Sequence, residues 1–160
     1  SPENFEGEKI LIRKIISDTL IATYIPETSY CNTLLFVLKI KNNKFKYKSI
    51  LAILNSKLIA WYFRKKFQVS PDDTFPQIMI RDIMQFPIPD FTDPINDQCF
   101  SLVDQMLDLH KKKAAAKDSV ETERLQRLID STDSEIDRLV YDLYGLTDEE
   151  IKIVEGENKG

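Results

Sequence analysis

Glycine is scarce in this chain of 160 residues, which has only four: Gly7, Gly145, Gly156 and Gly160. Loops that cradle phosphate groups place several glycines within a few residues, so that the main chain can approach the ligand closely. No two glycines of this chain lie close enough to build such a loop. We therefore expect the chain to hold no cofactor of its own, neither a nucleotide nor S-adenosylmethionine.

Histidine and cysteine are also rare. His110 is the only histidine, which excludes a multi-histidine metal site and acid-base chemistry by two histidines. Cys31 and Cys99 have no CxxC partner or neighbouring histidine, so a zinc site and a disulfide framework are poorly supported, and both are predicted to be buried. Pro71-Asp72 and Pro89-Asp90 could each begin a metal-dependent nuclease motif, but no acidic-x-Lys sequence follows at a suitable distance. We predict no catalytic residue and no metal ligand.

Long hydrophobic runs are absent as well. No segment approaches the roughly 18 to 20 apolar residues that span a bilayer, and the first ten residues lack the pattern of a signal peptide. Hydrophobic residues make up 42% of the chain and charged residues 30%, which is typical of a globular protein. We expect a cytoplasmic protein without a membrane partner.

The net charge of −4 conceals a difference between the two halves of the chain. Residues 1–90 carry 13 Lys and Arg against 9 Asp and Glu, whereas residues 91–160 carry 9 against 17. A basic surface attracts polyanions, while an acidic segment is more often solvated or in contact with protein. Binding of a polyanion is therefore predicted upstream of residue 90.

Three β-branched or apolar segments predict strands: Glu8 to Ile16, Leu20 to Tyr24, and Thr33 to Lys41. The third is apolar enough to predict burial on both faces. The alternation of lysine and aromatic residues from Lys44 to Lys48 fits either a hairpin return or the start of a helix. From Lys48 to Phe67, apolar residues at spacings of three and four predict one amphipathic helix.

The second half of the sequence has a helical pattern. Phe100, Val103 and Leu107 begin one apolar stripe, and a second has spacings of 4, 3, 4, 3 and 4, which is typical of a coiled-coil seam. The residues of this second stripe are Leu125, Ile129, Thr132, Ile136, Leu139 and Leu143. Two long antiparallel helices would bury this seam. Gly145 suits a left-handed helix cap, and Thr147 to Glu150 is a capping box that opens a short final helix.

Basic residues in the first half are the candidates for binding nucleic acid, since lysine and arginine neutralise phosphates and arginine also recognises guanine in the major groove. They are Arg13, Lys14, Lys39, Lys41, Lys44, Lys46, Lys48, Arg64, Lys65, Lys66 and Arg81. The alternative is structural. Lysines along an edge strand also prevent aggregation, and basic residues in the last turn of a helix complement its dipole.

Several segments together resemble one known family. They are Lys9 to Arg13, Ile50 to Tyr62 with Leu54-Asn55-Ser56-Lys57 at its centre, Phe75-Pro76, Phe86 to Pro89, and Val140 to Glu150. In order and spacing they resemble the TaqI-like C-terminal specificity domain of type II restriction-methylation enzymes and adenine-specific DNA methyltransferases.

The resemblance implies an α+β fold. A target-recognition domain with a small mixed β-sheet and a packed helix would occupy residues 1–92, and a long antiparallel helical hairpin would form an arm over residues 93–160. It also implies a methyltransferase domain that precedes this region on the same polypeptide. The Asn-Pro-Pro-Tyr type motif that accompanies methyl transfer from S-adenosylmethionine to adenine is absent here, so such transfer would belong to that domain. The segment before Phe75-Pro76 is shorter than the recognition insertion that relatives often carry.

The resemblance implies double-stranded DNA as partner, with lysines on phosphates and Arg13, Arg81 or the Gln68 to Gln77 loop reaching base edges. Two alternatives stay open. The chain could be a coiled-coil assembly module without DNA contact, or half of a type I specificity subunit.

Overall fold

A computed structural model describes residues 6–28, 34–70, 72–73 and 76–156. Three strands form an antiparallel sheet in the order β2-β1-β3. Their bounds are β1 (Lys9–Arg13), β2 (Ala22–Ile25) and β3 (Leu35–Leu38). The predicted strands are present but shorter. The predicted burial of the third strand on both faces is wrong, because β3 lies at an edge of the sheet and is only half-buried.

The central strand β1 has a further pairing beyond Arg13. Ile15 forms an isolated antiparallel bridge with Gln77. The N–H of Ile16 donates to the carbonyl of Pro76 at 3.0 Å, and the N–H of Ile78 donates to the carbonyl of Lys14 at 2.8 Å. Because the N–H of Lys14 bonds to Leu34, on the side of β3, residues 76–78 lie in line with β3 along the extension of β1.

The single helix predicted from Lys48 to Phe67 is wrong, since the chain forms two helices, α1 (Tyr47–Leu54) and α2 (Lys57–Lys66). The break has a local cause. The hydroxyl of Ser56 accepts the N–H of Ile59 at 3.3 Å and starts α2 as its N-cap. A short helix, α3 (Ile80–Ile83), follows residues 76–78.

Two long helices, α4 (Asp93–Ala115) and α5 (Ser119–Leu143), pack against each other. Lys113 contacts Gln126 close to the connection, and Gln105 donates to Thr132 at 3.1 Å farther from it, so the helices run antiparallel. This confirms the predicted helical hairpin and the α+β fold. A short helix, α6 (Asp148–Val154), ends the described chain, opened by the predicted capping box at Thr147.

The predicted seam of α5 is buried at Leu125, Ile129, Thr132 and Ile136. Beyond Ile136, however, Val140 and Tyr141 are buried and the predicted Leu139 and Leu143 only half-buried. The buried stripe turns there because α5 also packs against α1 and α2, not only against α4.

One hydrophobic core joins the sheet to the helical hairpin. It includes Ile10 and Ile12 of β1, Phe63 of α2, Cys99 of α4 and Val140 of α5. The predicted burial of Cys99 is confirmed, whereas Cys31 lies outside the described residues. Gly145 adopts the predicted left-handed conformation, with φ at +67°. Among the described residues, none of the helices combines the length and the apolar composition that a membrane span needs.

Candidate nucleic-acid interface

Ten of the eleven candidate residues fall into two groups at opposite ends of the sheet. The end of β1 lies beside the starts of β2 and β3, because both neighbours run antiparallel to it. We call the first group the Arg13 end; it comprises Arg13, Lys14, Arg64, Lys65 and Lys66. The second is the Lys39 end, comprising Lys39, Lys41, Lys44, Lys46 and Lys48. The length of β1, about 13 Å at 3.3 Å per residue, separates them.

The Arg13 end brings together residues that are far apart in the sequence. Arg13 is exposed at the last position of β1. The ammonium of Lys14 lies 5.1 Å from the ring centre of Phe36. The guanidinium of Arg64, at the end of α2, donates to the carbonyl of Ser17. This contact ties the basic end of α2 to the segment that follows β1.

A left-handed residue ends α2 and orients its last turn. Gln68 has φ at +50°, and the N–H of Val69 donates to the carbonyl of Arg64 at 3.1 Å. Such an arrangement satisfies a terminal carbonyl of the helix, usually with glycine at the left-handed position. Lys65 and Lys66 are exposed in this last turn. They add positive charge beside Arg64.

Arg81 is the eleventh candidate and lies on α3, just after the residues that pair with the extension of β1. Its side chain is 78% exposed, and its Nε lies 3.7 Å from the carboxylate of Asp82. That carboxylate also accepts the N–H of Met79 at 2.9 Å at the start of α3. The helix is thereby held in place while the guanidinium of Arg81 stays open to a ligand.

At the Lys39 end, several ammonium groups bind the chain itself. Lys44 forms an ion pair with Asp90 at 2.5 Å, and Lys39 donates to the carbonyl of Glu6 at 2.7 Å. Lys41 and Lys46 are exposed, and neither forms an ion pair within the described residues.

Lys48 occupies a different environment from the other lysines of this end. Its side chain is only 16% exposed and pairs with Asp104 of α4. Its ammonium lies 4.4 Å from the ring centre of Phe100 and 5.6 Å from that of Tyr24. Burial, together with a hydrogen bond to Glu8, raises the pKa of Tyr24 to about 12, so this tyrosine stays protonated at neutral pH. Lys48 thus joins α1, β2 and α4.

Three polar residues have structural roles that the sequence did not reveal. Lys9 is fully buried in β1 and donates to the carbonyl of Glu27 at 2.7 Å. Asn55 binds the main chain of β2. Asp137 is buried in α5 and accepts the N–H of Lys57 at 2.9 Å, at the start of α2. For Asp137, the only signal in the sequence was its place next to Ile136, a residue of the predicted buried seam.

A comparison with models of known protein families matches the region that contains this surface. The model of the TaqI-like C-terminal specificity domain matches residues 2–88, more than half of the chain. The chain belongs to this family. The matched region contains the sheet, α1, α2 and α3, together with all eleven candidate residues. A specificity domain of this kind supports a role in DNA target recognition in a restriction-modification enzyme. The comparison with curated proteins found no match.

Proposed function

We propose that this chain is the sequence-specific DNA-recognition module of a bacterial adenine-specific methyltransferase of a restriction-modification system. The observation that carries the proposal is the convergence of Arg13, Lys14 and Arg64 with residues 76–78 at one end of the sheet, within the region that matches the specificity-domain family. The methyltransferase domain would belong to the same polypeptide and use S-adenosylmethionine. The chain described here would select the site, in the cytoplasm where the DNA is.

Residues 1–92 would contact the duplex, with the Arg13 end as the recognition surface. Lys14, Lys65 and Lys66 fit phosphate contacts, which fix the register of a protein on DNA but carry no sequence information. Arg13 and Arg81 have exposed guanidinium groups, which can donate two parallel hydrogen bonds to O6 and N7 of guanine. Gln77, the last residue of the Gln68 to Gln77 segment, pairs with Ile15, two residues after Arg13. Arg64 is better suited to position the segment that follows β1, since its guanidinium donates to the carbonyl of Ser17.

The Lys39 end would contribute flanking phosphate contacts. Lys41 and Lys46 are the exposed members of this group, and Lys39 and Lys44 would add to the positive field around them. Lys48 would contribute least, because its ammonium is held between two aromatic rings and a carboxylate.

Residues 93–160 would act as a spacer or docking arm toward the catalytic domain. The assembly-module alternative requires the helical seam to meet a partner, but Leu125, Ile129 and Ile136 are already buried within this chain. An assembly role would have to use other surfaces. The type I alternative shares the DNA role and differs in requiring a second recognition domain in the parent protein.

Phosphate contact can be tested by measuring fluorescence anisotropy of a labelled duplex at several salt concentrations. Affinity should fall steeply as salt rises, with a slope of about 0.9 per phosphate neutralised. A Lys65→Gln, Lys66→Gln double variant should bind every sequence more weakly and show a smaller slope. Lys111→Gln with Lys117→Gln, two exposed lysines of the arm, is the charge-matched control and should bind like the parent chain. Binding that ignores salt would contradict the proposal.

Base recognition requires a separate measurement. Selection from a pool of duplexes with randomised sequence should yield a preferred site for the parent chain. Arg13→Ala or Arg81→Ala should relax the preference at individual guanines, costing about 1 to 3 kcal/mol of discrimination at each position. An unchanged consensus sequence in both variants would mean that residues other than these two arginines recognise the bases.

A further inference from the structure

The two edges of the sheet differ in the partners of their outward-facing main-chain groups. At the edge formed by β2, the side chain of Asn55 binds both the N–H and the carbonyl of Ala22. At the edge formed by β3, the register leaves such groups open. Lys14 bonds to Leu34 and Phe36 lies opposite Ile12, so Leu35 and Val37 turn their N–H and carbonyl groups away from β1. Within the described residues, neither has a hydrogen bond on that outer side.

An apolar groove of about 550 Å³ runs along this open edge. Phe36, Leu38 and Ile40 line it on the side of β3, and residues from α3 and the segment after it line the other side. Those residues are Ile80, Ile83, Met84, Phe86 and Ile88. Met84 is 78% exposed and Ile80 is 56% exposed, which is unusual for large apolar side chains that share one groove.

An uncovered edge of this kind favours association with another chain. The strand sequence Leu-Phe-Val-Leu has no charged residue, no proline and no bulge, which are the features by which natural edge strands avoid pairing. A row of open main-chain groups beside apolar pockets is the geometry by which a sheet accepts an additional strand, with the main chain providing affinity and the pockets providing specificity.

The charge around the groove indicates which segment fits it. Lys39 and Lys41 line one end, and no carboxylate of the described residues lines the groove. Arg81 lies on α3 outside the lining, with its Nε 3.7 Å from Asp82. We propose that β3 accepts, as a fourth strand, an extended segment of a partner protein with apolar residues at alternate positions and acidic residues at its flanks. A second copy of this chain fits less well, since its own β3 is followed by Lys39 and Lys41 and brings no carboxylate next to the strand. Duplex DNA would not fill an apolar groove.

The test uses the full chain and a labelled synthetic peptide, Asp-Asp-Val-Thr-Ile-Thr-Val-Asp-Asp, with binding followed by fluorescence anisotropy. Saturable binding is expected. A peptide with Lys in place of every Asp should bind at least tenfold more weakly, and one with Pro in place of the central Ile should lose binding. No saturable binding of the first peptide, or equal binding of the Lys peptide, would overturn the proposal.

Two variants of the protein locate the site. Val37→Pro removes one outward N–H, and proline is tolerated on an edge strand when its N–H faces away from the ladder. It should weaken peptide binding at least tenfold while leaving the melting temperature and binding to duplex DNA unchanged. Met84→Asp places a charge on an exposed wall of the groove and should weaken peptide binding similarly. This variant still tests the site if Val37→Pro fails to fold. Peptide binding indifferent to Met84→Asp would overturn the proposed site, and concentration-dependent dimerisation without peptide binding would assign the edge to a second copy instead.

Discussion

Asn55 binds the main chain of Ala22 through both ends of its carboxamide. Its Nδ2 donates to the carbonyl of Ala22 at 3.0 Å, and the N–H of Ala22 donates to its Oδ1 at 2.9 Å. The amide thereby replaces one residue of an additional strand at the edge of β2. Since Ser56 starts α2 with the next side chain, the Leu54-Asn55-Ser56 sequence both closes the sheet edge and redirects the helix.

The pair gives a direct prediction for Asn55→Ala. The substitution leaves the N–H and the carbonyl of Ala22 unpaired in a half-buried position. This should lower the free energy of unfolding by about 1 to 3 kcal/mol. Chemical denaturation of the two proteins measures it. Asn43→Ala, at an exposed position of the β3 to α1 connection, is the matched control and should change stability by less than about 0.5 kcal/mol. Equal stability of parent and Asn55→Ala would mean that water replaces the amide.

The break at Asn55 also shows why periodicity predicted one helix instead of two. Leu51, Leu54, Leu58 and Trp61 keep helical spacing across the break, so the pattern contains no sign of it. Besides the local cap at Ser56, Asn55 between the two helices binds Ala22, a residue 33 positions earlier in the chain. Local patterns predicted the strands, the helical hairpin, the cap at Gly145 and the capping box, because each depends on residues close in sequence.

The sequence likewise predicted only part of the candidate site. Charge counting along the chain identified the basic residues but did not separate the two ends of the sheet. It also treated Lys46 and Lys48 alike. The partner of Lys48 is Asp104, which lies 56 residues away on α4, so only the tertiary structure distinguishes the two lysines.

Ile136→Asp tests the burial of the hairpin seam. The side chain of Ile136 is 6% exposed and belongs to the core shared by the sheet and the helices. An unpaired carboxylate there should cost several kcal/mol, about 3 to 5, and should lower the melting temperature sharply. Val120→Asp is the control on the same helix, because Val120 is 74% exposed and lies in the first turn, where the helix dipole favours an acidic residue. A melting temperature unchanged by Ile136→Asp would contradict the packing of α5.

Asp137 predicts a dependence of stability on pH. Burial raises its pKa from 3.8 to about 6, nearby Asp133 and Glu155 add to the rise, and the hydrogen bond from Lys57 opposes it. Because the folded chain holds this proton more tightly than the unfolded chain, the contribution to stability is complete below pH 4 and is lost as pH rises through 6. The difference in pKa corresponds to at most about 3 kcal/mol.

Asp137→Asn isolates this contribution, since it keeps the acceptor for Lys57 and removes the titration. The difference in unfolding free energy between parent and variant should shift by up to about 3 kcal/mol between pH 4 and pH 7, in favour of the variant as pH rises. Urea denaturation at a series of pH values measures the shift. Asp133→Asn should shift less; burial also raises the pKa of Asp133, but it is more exposed than Asp137. A constant difference across this range would contradict the raised pKa.

Lys48→Ala should destabilise the chain, whereas Lys46→Ala should not. The ammonium of Lys48 lies over Phe100 and Tyr24 and pairs with Asp104, so its removal loses two cation–π contacts and one partly buried ion pair. Each cation–π contact contributes about 0.5 to 1 kcal/mol, and the total loss should be about 1 to 2 kcal/mol. Lys46, two residues earlier, is exposed and provides the matched control. Thermal unfolding of both variants tests whether Lys48 has this structural role. Equal melting temperatures would mean that Lys48 is a surface lysine, available to phosphate like Lys46.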